Sequence, residues 1–318
     1  MEETKQAVQE QISTSLEVEQ LDDNLFRSKS LYRPLRARGV FGGQVISQAL
    51  VSATNTIDPA FSLHSLHVGS PLIGSTNTPI IYNVDLLRKG NTYVVCTVKA
   101  IQTGHVIFTM TCSFQKPEPW QPSHQWPMPD VPPPEQCLLE EEWLLQRTEF
   151  ESAKIHPKLK EYFQQLATDK AKGPIAVKRA KGHDVSPDGT VRYMYWMKAK
   201  DIPRYEAPFQ KCILSYLSDI NFIPTVARTM GLKRTGDGHR SLAMMSTLDH
   251  SIYFYDGDFH CGDWLLYVME SPRAGSGRGV VHGRLYTQKG ILVAVTSQEG
   301  VVRAAIREPE QAKLEPKL

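Results

Sequence analysis

Read by the spacing of its apolar positions, the chain shows one plan twice. Residues 209–223 carry one apolar stripe at Ile213, Leu217 and Ile220 and a second through Cys212, Tyr216, Asp219 and Ile223. The segment is therefore apolar nearly all round, which predicts a helix enclosed by protein. Pro208 stands just ahead of it and Pro224 closes the pattern. An earlier run, opened by Phe41-Gly-Gly-Gln44, repeats apolar residues at helical spacing through Val45, Ile46, Ala49, Leu50 and Ala53. Strand patterns surround each helix. Residues 16–21 precede the first, and 62–68, 79–87, 93–102 and 106–114 follow it, separated by Gly and Asn turns. Around the second helix lie 175–178 and 192–198, then 242–255, 264–270, 280–287 and 291–297. The closing strands correspond as well, the run from Gly104 to Cys112 lining up with that from Gly290 to Gln298. The pattern predicts a distant internal duplication, each copy an α+β unit of one helix and an antiparallel meander.

Between the copies, residues 117–134 hold eight prolines, too many for a central strand or helix, and predict an extended linker. Trp120 and Trp126 within it are expected to pack it onto a domain surface. Short surface helices are expected at 138–145 and 159–166, divided near Pro157. The division that results is a tail at 1–15, a first unit at 16–116, a linker at 117–168, a second unit at 169–308 and a tail at 309–318.

Composition narrows the classes of function. Of the 318 residues 41% are hydrophobic and 22% charged, and no apolar run approaches the ~18 residues of a membrane span. The first residues lack the layout of a signal peptide, so no leader is expected. Lys and Arg number 36 against 34 Asp and Glu, a balance of +2 that argues against nucleic acid or an anionic membrane as partner. Cys96, Cys112, Cys137, Cys212 and Cys261 are odd in number, scattered and without CxxC pairs. That suits reduced thiols in an intracellular protein better than a disulfide framework or zinc site. His260, Cys261 and His282 lack a fourth ligand at metal-binding spacing. There is no Gly-x-Ser-x-Gly elbow, dinucleotide-binding glycine motif or Walker loop. No metal or organic cofactor is expected.

Asp219 is the unusual residue of its helix. A carboxylate inside an apolar stripe is costly unless hydrogen-bonded, and such acids are enriched at functional sites. On the helix alone, a structural acid tying a neighbouring loop and a functional acid fit equally well. Along 242–255 a period of two puts Thr247, Asp249 and Ser251 on one face, and Thr296 shares a face with Gln298. In the first copy Cys112 holds the place of Gln298, and Gln48 or a neighbour that of Asp219, so chemistry is expected in the second copy alone. His64 and His67, three apart on a strand, should fall on opposite faces, and the ordinary reading of each is a core or rim histidine.

Five stretches together resemble the acyl-CoA thioesterase II family, its animal peroxisomal members in particular. They are Phe41-Gly-Gly-Gln-Val-Ile-Ser-Gln-Ala-Leu50, His64-Ser-Leu-His67, Thr247-Leu-Asp-His-Ser251, Glu270-Ser-Pro-Arg-Ala-Gly275 and Gln298-Glu-Gly-Val-Val-Arg303. The resemblance runs in order over residues 16–305. It implies a double hot-dog fold, two antiparallel sheets each wrapped around a long central helix. It also implies hydrolysis of fatty acyl-CoA to free fatty acid and CoA, with the catalytic constellation carried by Asp219, Thr247 and Gln298. Animal members usually show serine at the middle position. After His67 the chain reads Val68-Gly-Ser-Pro-Leu-Ile-Gly74, where the family has an aromatic-rich stretch and an arginine before a glycine.

In that reading Asp219 is the general base on a water that Thr247 and Gln298 hold in line, with no covalent intermediate. The backbone N–H of Gly43, near a helix start, is the expected oxyanion donor. His67, Arg88, Lys89 and Arg278 are further expected substrate contacts, the basic ones, with Arg303, for the CoA phosphates. The plainer reading of charged turn residues is solvation. Two alternatives stay open. A hot-dog enoyl-CoA hydratase needs a histidine paired with the acid, and Asp219-Ile-Asn-Phe-Ile223 offers none at that spacing. A catalytically silent acyl-CoA-binding protein is the other. Expected partners are the acyl-CoA substrate and a second copy of the chain. Pro316-Lys317-Leu318 resembles the peroxisomal address Ser-Lys-Leu, which adds an import receptor and a peroxisomal location where it is read, and the cytosol otherwise.

Overall fold

The computed structural model describes residues 11–69, 72–150, 156–186, 189–233 and 241–305; Pro316-Lys317-Leu318 and the Ser70-Pro71 step lie outside them. The first half runs α1 (Ile12–Leu16), β1 (Val18–Asp22), β2 (Leu25–Ser28), α2 (Gly42–Thr56), β3 (Ser62–Gly69), β4 (Ile81–Lys89), β5 (Tyr93–Gln102) and β6 (His105–Gln115). Leu16, expected in the first strand, is a buried residue of α1, and extended structure begins at Val18. The linker carries α3 (Glu140–Phe150) and α4 (Pro157–Lys172), both longer than expected. Acids at Glu140, Glu141 and Glu142 and a proline at the start of α4 suit the two helix beginnings. The second half runs β7 (Ile175–Val185), β8 (Val191–Ala199), α5 (Ala207–Ser218), α6 (Pro224–Thr229), β9 (Leu242–Thr247), β10 (Asp249–Phe254), β11 (Leu265–Gly275), β12 (Arg278–Thr287) and β13 (Leu292–Ala304).

Strand pairing follows the hot-dog plan twice. The two sheets then meet edge to edge at β3 and β10, Leu66 opposite Ile252, so the halves share one 13-stranded sheet. Its order is β1-β2-β4-β5-β6-β3-β10-β13-β12-β11-β8-β7, with β9 also on β13. The sheet wraps α2 and α5, which lie antiparallel against each other. Ser47 Oγ donates to the Cys212 carbonyl at 2.9 Å, and a Cβ at Gly43 would stand 2.8 Å from the Tyr216 carbonyl, so glycine permits the approach. Every residue of α5 from Gln210 to Ser218 is buried, as its all-round apolar pattern requires.

Two expectations for the second half are corrected. The helix expected over 209–223 stops at Ser218. Asp219 is its C-cap, Asn221 takes a left-handed φ of 60°, and Pro224 opens α6 instead of closing the pattern. A left-handed residue ends a helix, and proline suits a first turn. The strand expected over 242–255 splits at Leu248. Thr247 pairs with Gly300 and Ser251 with Ser297, partners an odd number of residues apart. A one-residue slip reverses the side-chain faces, so Thr247 turns toward the helices with Gln298, while Asp249 and Ser251 turn to the outer face.

Over β8, β11 and β12 the outer face is covered by the linker. Met128, Val131 and Cys137 pack on Met194, Trp196, Leu266, Val268 and Tyr286, and Trp196 Nε1 donates to the Pro132 carbonyl at 2.9 Å. Gln125 bonds the Gly290 carbonyl and the Leu292 N–H. Trp120, expected to help, is 86% exposed, and Trp126 is 65% exposed with only the Arg284 guanidinium over its ring. The apolar side chains of Met128, Val131 and Cys137, linker carbonyls and the Gln125 amide hold the strap more than its largely exposed indoles do.

Candidate active site

Where α5 ends, Asp219 enters the seam between the halves. Its Oδ1 accepts from Gln298 Nε2 at 2.8 Å and its Oδ2 from the Gly43 N–H at 2.9 Å. Gln298, carried in by β13, also donates from Nε2 to Thr247 Oγ1 at 3.0 Å. Three side chains from α5, β9 and β13 therefore converge on one amide nitrogen. Burial raises the Asp219 carboxyl from 3.8 to about 6, against the lowering effect of the Gln298 and Gly43 hydrogen bonds. The carboxylate also stands between two helix ends of opposite polarity, the unfavourable C-terminus of α5 and the favourable N-terminus of α2. Glycine at position 42 makes room, since a Cβ there would lie 2.9 Å from Oδ2.

Counting hydrogens assigns what each group has left. Gln298 spends both Nε2 hydrogens on acceptors, and its buried Oε1 has no partner. Thr247 accepts from Gln298 and so keeps its own hydroxyl hydrogen to donate. Asp219 accepts throughout.

Behind Asp219 lies a second buried set, of which sequence reasoning singled out only Thr296. The Tyr267 hydroxyl lies 2.8 Å from the Ser218 carbonyl and 2.9 Å from Thr296 Oγ1. Ser218 Oγ donates to the Ser215 carbonyl, so His250 Nε2 supplies the hydrogen in its 2.9 Å bond to Ser218 Oγ. Burial pushes His250 down to about 3, so it is neutral. Its signal was present within Thr247-Leu-Asp-His-Ser251. Tyr267 has none, because it sits in an unbroken buried run of β11.

The linker's part was missed too. Asn221 Nδ2 donates to the Glu140 carboxylate at 3.3 Å, and Arg228 donates to Asn221 Oδ1 at 3.3 Å and to the Tyr195 hydroxyl at 2.7 Å. Lys170 pairs with Glu140 at 2.8 Å. Burial would raise the Glu140 carboxyl, but Lys170 and Arg228 outweigh it and hold it below its usual value. The turn that carries Asp219 is thus pinned to α3 and α4.

Other expected contacts do not reach the site. His67 lies on the outer face, between inward Leu66 and Val68, its Nδ1 3.0 Å from Ser251 Oγ. A bulge between Leu63 and Ser65 brings His64 to that same face, bonded to Ser113, where strict alternation put it opposite. Arg88 and Lys89 end β4. Lys89 lines a cavity of about 60 Å³ with Thr56, Ile57 and Asp58 beyond the C-terminus of α2, a whole 15-residue helix from Gly43, or roughly 20 Å. Arg278 is 55% exposed and meets Glu299 at 3.7 Å. The Gly43 N–H, expected to face an oxyanion, is engaged by Asp219.

Two family models match the chain. That of the acyl-CoA thioesterase N-terminal domain covers residues 32–115, and that of the acyl-CoA thioesterase C-terminal domain covers 134–302. The chain is 34% identical over 295 residues to human acyl-coenzyme A thioesterase 8, covering 92% of this chain and 88% of that protein. It is 34% identical over 293 residues to acyl-CoA thioesterase 2 of Haemophilus influenzae, covering 91% and 95%. Among solved structures, an acyl-CoA thioesterase II from Mycobacterium marinum matches with a TM-score of 0.72 at 30% identity, over 94% of this chain and 99% of that one.

Proposed function

The chain belongs to the acyl-CoA thioesterase family and is a hydrolase of acyl-CoA thioesters, and from that premise we propose that Asp219 activates the attacking water. A carboxyl raised to about 6 is an anion at neutral pH and still basic enough to take a proton, the match a general base requires. The water accepts a hydrogen bond from the Thr247 hydroxyl and passes one of its own protons to Asp219 as its oxygen attacks the thioester carbonyl. The tetrahedral oxyanion collapses, the C–S bond breaks, and the CoA thiolate takes the proton from Asp219, leaving the free acid and CoA. Gln298 does not hold the water in this scheme; with both hydrogens committed, it aligns base and hydroxyl. Gly42 replaces Gly43 as oxyanion donor, because its N–H is the first of α2 and has no intrahelical acceptor.

The observation that supports this reading most is the single Gln298 nitrogen within 3.0 Å of both Asp219 and Thr247. Thiol release from octanoyl- and palmitoyl-CoA tests it. Asp219→Asn should lower turnover 10²–10⁴-fold, roughly the contribution of a general base. Near-normal turnover in the folded variant removes Asp219 from the mechanism. A hydratase would release no thiol from these saturated substrates, and the nearby His250 is bonded to Ser218 and not to the acid. Peroxisomal import through Pro316-Lys317-Leu318 is proposed on the tripeptide's resemblance alone; a fluorescent fusion with and without those residues decides it.

A further inference from the structure

A cavity of about 220 Å³ opens beside the Asp219 turn. Asp219, Thr247 and Gln298 do not line it, but Ile220 does, with Phe41 and Tyr216, which stack edge to face at 4.9 Å and adjoin Gly42 and the last turn of α5. Leu35 from the loop before α2 and Leu166 from linker helix α4 line it as well. Two of the three charged wall residues are already bonded. Asp169 accepts from the Tyr32 hydroxyl at 2.7 Å, and Lys170 is paired with Glu140. Glu141, also on the wall, is negative and offers no partner to a chain ending in a carboxylate. What remains is mostly apolar and smaller than the roughly 300–1,000 Å³ of sites that take drug-sized ligands. An apolar space of this size suits a hydrocarbon chain.

We propose that this cavity seats the acyl chain of the substrate and that linker helix α4, through Leu166, sets the length it accepts. The proposal rests on the hydrolase reading above for the position of the thioester, and it adds a role for the linker that neither half supplies. Helix α4 is seated on the body through buried Ala167, so Leu166 is held against the cavity while remaining half-exposed, a position where a larger side chain fills space without entering the core.

The test compares Leu166→Trp and Leu166→Ala with the wild type on straight-chain butanoyl-, octanoyl- and palmitoyl-CoA. Leu166→Trp should lower kcat/KM for octanoyl- and palmitoyl-CoA about tenfold or more and leave butanoyl-CoA within about twofold, the scale of discrimination that one or two methylenes command in an apolar pocket. Leu166→Ala should move the preference toward longer chains. An equal change at every length, or none, overturns the proposal. If the wild type releases no thiol from any of them, the hydrolase reading fails instead. Calorimetric binding of the same acyl-CoAs then still decides the cavity: length-dependent weakening by Leu166→Trp supports it, and length-independent binding ends it.

Discussion

Helix α5 ends in an acid, whereas α2 runs on through Ser52 and Thr56, whose hydroxyls fold back to carbonyls one turn earlier. Where β13 delivers Gln298, β6 delivers Cys112, buried directly opposite Cys96 of β5. A thiol packs as a small hydrophobe, but a buried amide with two donor hydrogens demands acceptors. The opposite end of the helix pair also differs. There Lys211 is buried and donates to Ser62 Oγ and the Leu63 carbonyl, and burial holds its amine below the usual value. The outer faces diverge as well: β4 and β5 show the Lys99–Asp85 pair to solvent, while β8 and β11 hide Trp196 and Leu266 under the linker. On the proposed mechanism, the duplication makes one composite site among the described residues and not two. In that proposal the first half lends backbone, the Gly43 N–H held by Asp219 and the Gly42 N–H for the oxyanion, and the second lends side chains.

The sharpest way to break that contrast is to neutralise the acid and to perturb its counterpart. Asp219 has a folded pKa of about 6 against an unfolded value of 3.8, so the folded state holds its proton more tightly. Stability from this group is present below about 4 and is lost as pH rises toward 6; at pH 7 the ionised form costs on the order of 2–3 kcal/mol. Asp219→Asn should therefore lower kcat 10²–10⁴-fold with little change in Tm at pH 7, because relief of the buried charge offsets the roughly 1–3 kcal/mol lost where its Nδ2 faces a donor, the Gly43 N–H or Gln298 Nε2. Cys112→Ser should do the reverse, keeping kcat and lowering Tm. In the wild type kcat/KM should decline with acid through pH 6. Calorimetry and thiol release at pH 5 to 8 check all of these, and an Asp219→Asn protein that loses Tm as well as turnover would make the acid structural.

Gln298→Ala comes next in size. It removes the donor shared by base and hydroxyl, and misalignment of this order costs roughly 10–100-fold in kcat. Because the Gln298 hydrogen bond favours the charged carboxylate, its loss should also move the acid limb of the pH profile upward. A fall in kcat with an unmoved acid limb would mean that Gln298 serves Thr247 alone.

Much of this was legible beforehand, for identifiable reasons. All-round burial of α5 and the alternation of β5 follow directly from periodicity, and the duplicated order of elements announced the paired helices. Local pattern failed where a single residue changes register or handedness. The slip at Leu248 reverses faces with no change in composition, and Asn221 ends α5 inside an apolar stripe that continues through Ile223. Thr247 and Gln298 were placed together by resemblance, since period-two logic grouped Thr247 with Asp249 and Ser251 instead. The linker's Glu140 and Lys170 look like solvated surface charges in sequence, and only tertiary packing turns them toward the site.

The linker's hold on the Asp219 turn yields the smallest predicted effect. Asn221→Gly keeps the left-handed backbone, which glycine adopts without strain, and removes only the side-chain bonds to Glu140 and Arg228. Glu140 keeps Lys170 as its partner, so no buried charge is abandoned. The turn should loosen around Asp219, lowering kcat roughly 3- to 10-fold with KM little changed. Glu140→Gln is the complement: it preserves an acceptor for Asn221 but weakens the pair with Lys170, so Tm should drop while kcat holds. If Asn221→Gly leaves kcat untouched and only Tm moves, then α3 and α4 merely brace the second half, and the alignment of Asp219 belongs to Gln298 and Gly43 alone.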